Sequence, residues 1–133
     1  MALLFDRGVH VASWPLSEPE QFFEPPMLLC TLPEHNAFLS DETVAARMRR
    51  EFDLAAFADP ILFCMTDALG EWATRMLRDE PDALSKLLGM RSEEELVGFV
   101  TAERALKRMR VDDSTLIVLA FDQVASSDGL PQP

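Results

Sequence analysis

Leu3, Leu4 and Phe5 lead into Asp6-Arg7-Gly8, after which Val9, Val11 and Ser13 alternate with His10, Ala12 and Trp14 until Pro15 interrupts the pattern. Alternation around a glycine-bearing turn predicts a β-hairpin over the first fourteen residues, with Gly8 supplying the turn. Chain ends fray unless something upstream or alongside pairs with them, so a strand opening here is an abrupt start.

From Pro15 to Asn36 the prolines Pro15, Pro19, Pro25, Pro26 and Pro33 alternate with Phe22, Phe23, Met27, Leu28 and Leu29, which predicts an irregular, partly buried stretch. Val44, Met48 and Phe52 then recur every fourth residue, with Asp41 and Glu42 ahead of them, and predict a helix over residues 41–52. Ile61 to Thr66 is a continuous apolar run and reads as a strand buried on both faces. Asp67 ends that run. Next, Leu69, Trp72, Ala73, Met76 and Leu77 fall on one helical face, and Glu71, Thr74, Arg75 and Arg78 on the other. Pro81 opens a second short helix that Gly89 closes. Ser92 and Glu95 form a capping box for a helix carried by Leu96, Phe99, Val100, Leu106 and Met109 to about Arg110. Thr115 to Phe121 reads as the last strand, β-branched and apolar. The expected class is α+β, antiparallel strands flanked by helices, with residues 1–122 forming one domain or less and a disordered polar tail over 123–133. No internal repeat is present.

Composition narrows the function classes. The 133 residues are 48% hydrophobic, enough for a packed core, and 23 acidic against 12 basic residues give a net charge of −11. That balance repels nucleic acid, and the nearest basic group, Arg104, Lys107, Arg108 and Arg110, shares its segment with Glu93, Glu94, Glu95 and Glu103. Cys30 and Cys64 both lie in apolar runs, where each reads as a small buried side chain. No apolar stretch approaches a membrane span and no secretory leader is evident, so a cytoplasmic location is expected.

The candidate chemistry is a pair of carboxylates. Asp67 follows one strand and Asp112, with Asp113, precedes another, so antiparallel pairing of the two strands would bring them to one sheet edge. Carboxylates at short range repel unless a cation or a proton intervenes, and oxygen donors without His or Cys favour Mg²⁺ or Mn²⁺. The simpler reading makes Asp67 a helix cap and Asp112-Asp113 a turn. His10 and His35 read as a half-exposed strand residue and a loop residue, Trp72 as core, and Arg47, Arg49 and Arg50 as solvated helix surface. Ser114 and Thr115 have no base beside them, which leaves a serine nucleophile unsupported.

ILFCMTDALGEW resembles the strand and Thr-Asp-Gly turn of the type-2C metal-dependent serine/threonine protein phosphatases, and VDDSTLIVLAF resembles their final Asp-Asp/Asn-x-Thr strand. The hairpin is similar to the strand after the family's Gly-Asp-Ser motif, and FEPPMLL to a Pro-Pro-Leu-Leu segment of a bacterial branch whose turn reads Thr-Asp-Ala-Leu-x-x-Trp. From Ala2 to Phe121 the chain is thus similar to the C-terminal half of such a domain. The resemblance implies two antiparallel sheets flanked by helices around a Mg²⁺ or Mn²⁺ centre. Asp67 and Asp112 match two of the family's metal ligands, and Asp113 matches the adjacent Asn/Asp position. Thr66, the threonine of the turn, and Asp113 are expected to support the ligands.

Two departures matter. Ala68 stands where the family usually has glycine, and the family's bridging aspartate, Asp-Gly pair and phosphate-binding arginine lie upstream of anything present; the chain's own Asp128-Gly129 falls in the tail. The expectation is therefore an incomplete phosphatase-like domain, acting on phosphoserine or phosphothreonine in proteins and inactive without its N-terminal half, as from a split or late-starting reading frame. The alternative is a non-catalytic binding or assembly module that pairs its open sheet edge with a second copy, a partner or a complementary N-terminal segment.

Overall fold

A computed structural model describes residues 1–24, 31–47 and 49–121. Strands β1 (Ala2–Asp6), β2 (Val9–Trp14), β3 (Pro60–Met65) and β4 (Leu116–Ala120) form one sheet in the order β2-β1-β3-β4, antiparallel throughout. Together with the helices this makes an α+β chain. The expected hairpin is present. Arg7 and Gly8 both take positive φ, 49° and 76°, the backbone that lets a two-residue turn match the twist of its strands. Phe5 pairs with His10 while Leu4 pairs with Ala12, so Val11 is an extra residue bulging from β2. The first strand has the neighbour it needs. Its other side lies against β3, where Met1 and Met65 exchange two backbone bonds of 2.8 Å.

The helices are α1 (Glu42–Arg47), α2 (Asp67–Asp79), α3 (Ser85–Gly89) and α4 (Glu93–Ala105). Paired residues share a face, so Leu3 and Phe5 from β1, Phe63 and Met65 from β3 and Leu116 from β4 point together. Onto them pack Leu69, Trp72, Ala73 and Met76 of α2, Leu87 of α3 and Val100 of α4, and these make the core. The Trp72 ring meets Phe99 edge-on at 4.9 Å.

Several expectations are corrected. The run Ile61–Thr66 is not buried on both faces: Phe63 and Met65 are covered by helices, while Leu62 and Cys64 on the reverse face are half-buried. β4, expected only as an apolar last strand, lies at the edge of the sheet with Ile117, Val118 and Leu119 exposed. α1 ends at Arg47 instead of reaching residue 52, and its main packing among the described residues is against the 3-10 turns of Pro33–Ser40. The predicted partner Met48 lies outside the described residues, as do the PPMLL segment, Cys30 and the tail 123–133. α4 stops at Ala105, not near Arg110, because Lys107 adopts a positive φ of 57° that ends the helical path. Leu106 is consequently exposed, while Met109 reaches the core from the following loop.

The supposed polar face of α2 is also covered, with Glu71 and Thr74 buried. The 3-10 turn Pro19–Phe23 lies across α2, with Glu20 paired to Arg78 at 2.9 Å and Phe22 against Gly70. The first part of the proline-rich stretch is therefore a packing element.

Candidate metal centre

Met65 pairs with Leu116, so the residues just beyond each strand, Thr66 and Thr115, face one another. The Thr66 N–H donates to the Thr115 carbonyl at 3.2 Å, and the Thr115 N–H donates to Thr66 Oγ1 at 2.9 Å. The same hydroxyl donates to the Asp113 carbonyl at 2.9 Å. Thr66 is the N-cap of α2, yet its side chain caps nothing, because its hydrogen bonds go to the loop that carries Asp112. Asp67, a helix cap on the simpler reading, is instead the first helical residue, where its charge meets the positive end of the helix dipole.

The loop from Arg110 to Ser114 is held from the other side by α4. Arg104 donates from Nε to the Arg110 carbonyl at 3.2 Å, and from Nη2 to Ser114 Oγ at 3.1 Å and to the Asp112 carbonyl. Asp112 Oδ1 accepts its neighbour's N–H, that of Asp113, at 2.9 Å, a local turn contact that sets the carboxylate's direction. Asp112 Oδ2 then lies 3.7 Å from Arg110 Nη2, and Asp67 Oδ2 lies 3.9 Å from the same nitrogen. The two aspartates singled out from the sequence do converge, on a guanidinium. Both distances exceed hydrogen-bond length, and the side chains are 67% and 57% exposed, so these contacts position charge and add little stability.

Can these residues hold Mg²⁺ or Mn²⁺? Their donors are carboxylate oxygens alone, open to solvent, and Mg²⁺ is usually bound through one or two carboxylates with water and substrate phosphate completing the octahedron. The donor set fits. It is a sparse set: among the described residues no group of three or more His, Cys, Asp or Glu side chains forms a metal cluster. Asp113 contributes its carbonyl to Thr66, and its carboxylate forms no ion pair among the described residues.

Arg110 was the residue that sequence reasoning missed, read only as one member of a basic group and as a helix end. Glu103 was missed as well. Only 2% exposed, it accepts from Trp72 Nε1 at 3.0 Å and from Arg108 Nη2 at 2.6 Å. Burial opposes its ionisation, but the bonds from Arg108 and Trp72 prevail and hold its carboxyl below the usual glutamate range. A signal was present: Glu103 continues the stripe of Leu96, Phe99 and Val100, and a buried indole needs an acceptor. Of the basic group Arg104, Lys107, Arg108 and Arg110, Arg104 and Arg108 are hydrogen-bonded within the fold and Arg110 pairs with Asp67 and Asp112.

His10 is half-buried, bonded to Ser13 Oγ at 3.0 Å and edge-on to Phe5, and burial lowers its pKa despite a backbone bond at Ala12. His35 is exposed and belongs to a 3-10 turn instead of a loop. Arg49 pairs with Glu51, and Arg50 lies 5.5 Å from the Phe52 ring centre. Among the described residues no helix is long and apolar enough to cross a membrane. No family model, curated protein or solved structure matches the chain.

Proposed function

We propose that this chain supplies one side of a type-2C-like phosphatase centre, in which Asp67 and Asp112 hold a Mg²⁺ or Mn²⁺ ion for hydrolysis of phosphoserine or phosphothreonine in proteins. The observation that carries this reading is the approach of Asp67 Oδ2 and Asp112 Oδ2 to a single cationic nitrogen, Arg110 Nη2. A position that draws two carboxylates around one positive charge has the electrostatics a divalent ion requires. Such an ion supplies Lewis-acid polarisation of the phosphoryl group and an activated water. The chain's own residues do the holding: Thr66 and Arg104 fix the two backbone segments, and Arg110 neutralises the carboxylates until an ion replaces it. Hydrolysis needs further ligands and a phosphate-binding cation, which in this reading come from a complementary segment.

Titration of the chain with Mn²⁺ tests the proposal, alongside assay of an aryl phosphate. Binding that is lost in Asp67→Asn, with no hydrolysis by the isolated chain, is the expected result. Binding unchanged in Asp67→Asn overturns the site. Hydrolysis that Asp67→Asn abolishes keeps the site and overturns the dependence on a second segment.

A second reading, a non-catalytic binding module, is favoured by one observation: β4 lies at the edge of the sheet with Ile117, Val118 and Leu119 exposed.

A further inference from the structure

Arg104, Arg108 and Arg110 follow one another closely in the chain, yet their guanidinium groups are held in different ways. Arg104 donates to the Arg110 and Asp112 carbonyls and to Ser114 Oγ, and Arg108 donates to the buried Glu103 carboxylate. The Arg110 guanidinium makes no hydrogen bond of that kind among the described residues. Its Nη2 stands 3.9 Å from Asp67 Oδ2 and 3.7 Å from Asp112 Oδ2, beyond hydrogen-bond range, and its Nε is buried without a partner. Arg108 has a similar unpaired Nε, but its Nη2 is fixed on Glu103. A buried N–H left unpaired is costly, so at Arg110 the attraction of two carboxylates, and not a set of hydrogen bonds, keeps the group where it is. The backbone beneath it is pinned, because Arg104 Nε holds the Arg110 carbonyl at 3.2 Å. Arg110 is thus an arm with an anchored base and a loosely held head, its side chain 34% exposed.

What that head can take depends on the charge around it. Two carboxylates and one guanidinium leave an excess of negative charge, which repels an anion. Once Asp67 and Asp112 are neutralised by a divalent ion, the attraction holding the guanidinium is gone and the like charge of the ion drives it away. The released group keeps its N–H donors in one plane, a fork that matches the oxygens of a phosphoryl dianion, and its pinned base keeps it beside the two aspartates.

We propose that Arg110 is a phosphate-binding residue of this site, resting on Asp67 and Asp112 while they hold no ion and turning to the phosphoryl oxygens of the substrate once they do. The inference rests on the metal reading above and deepens it, adding a contact from this chain to the cation expected from the complementary segment. It makes binding ordered. The arm is free for an anion only after the carboxylates are occupied, so metal ion and phosphoryl group each strengthen the binding of the other.

The probe is phenylphosphonate, a dianion shaped like a phosphate monoester but with no ester bond to hydrolyse. It is titrated by calorimetry into the full chain with Mn²⁺ and into the chain with a chelator, against a blank of Mn²⁺ alone. Binding by the Mn²⁺-loaded chain only is expected, a comparison within the wild type that stands even if a variant misfolds. Arg110→Gln should weaken that binding about tenfold, and Arg110→Lys, which keeps the charge and loses the fork, about threefold. Arg49→Gln removes the same charge from an exposed residue paired with Glu51 and should leave the affinity unchanged. Equal affinity in wild type and Arg110→Gln, or equal binding with and without Mn²⁺, overturns the role of Arg110. Mn²⁺ bound with no phosphonate bound overturns it too and leaves the metal site standing, whereas a chain that binds no Mn²⁺ overturns both.

Discussion

Thr66 and Thr115 close a reciprocal ring, the N–H of Thr66 on the carbonyl of Thr115 and the N–H of Thr115 on the hydroxyl of Thr66, at 3.2 and 2.9 Å. Because Asp67 follows the first and Asp112 lies three residues before the second, this ring carries the two carboxylates toward each other. Thr66→Val keeps the side-chain shape and removes the hydroxyl, which orphans the Thr115 N–H and frees the Asp113 carbonyl. The expected cost is about 1–3 kcal/mol, read as a lower melting temperature. Mn²⁺ affinity should fall with it, whereas Thr66→Ser should retain both.

The lowered pKa of Glu103 sets the sign of a pH dependence. Its folded pKa lies below the ordinary 4.5, so its contribution is complete above that value and is lost as the pH falls through the lower folded value. Replacing the charged acceptor in Glu103→Gln should cost about 2 kcal/mol at neutral pH. Thermal melts from pH 7 down to pH 3 check this: the gap between wild type and Glu103→Gln should narrow in the acid range. A gap independent of pH contradicts the assignment.

At Gly70 two effects compete. A Cβ there would come within 2.9 Å of Met1 Sδ and 3.0 Å of Phe22 Cε1. Alanine gains about 1 kcal/mol of helix propensity, while overpacking typically costs about 1–3 kcal/mol. The Met1 thioether can swing aside, but the Phe22 ring is part of the turn clamped across α2, so a net loss of about 1 kcal/mol is expected. Limited proteolysis should show faster cleavage near Phe22 and Phe23 in Gly70→Ala.

The local signals in the sequence were largely sufficient for the elements themselves. Arg7-Gly8 announced the hairpin, Ser92 with Glu95 marked the start of α4, and the stripe through Leu69, Trp72 and Met76 marked α2. The capping box is realised in part: Ser92 Oγ accepts the Glu95 N–H at 3.3 Å, but the Glu95 carboxylate takes the N–H of Arg91. Tertiary context decided the rest. A run such as TLIVLA has the same composition in a central strand and at an edge, so the exposure of β4 could not be read from it. Arg110 and Glu103 were illegible for a related reason. Charged residues in a charged segment look solvated until the fold shows what they face.

On the proposed reading Asp67 and Asp112 form one cation site, shared in this structure with Arg110. Electron paramagnetic resonance of free Mn²⁺, titrated with the full chain, measures it most directly. One bound Mn²⁺ per chain is expected, lost in both Asp67→Asn and Asp112→Asn, and bound more tightly in Arg110→Gln because a competing positive charge is gone. Equal Mn²⁺ binding by wild type and all three variants, or none by any of them, would contradict it.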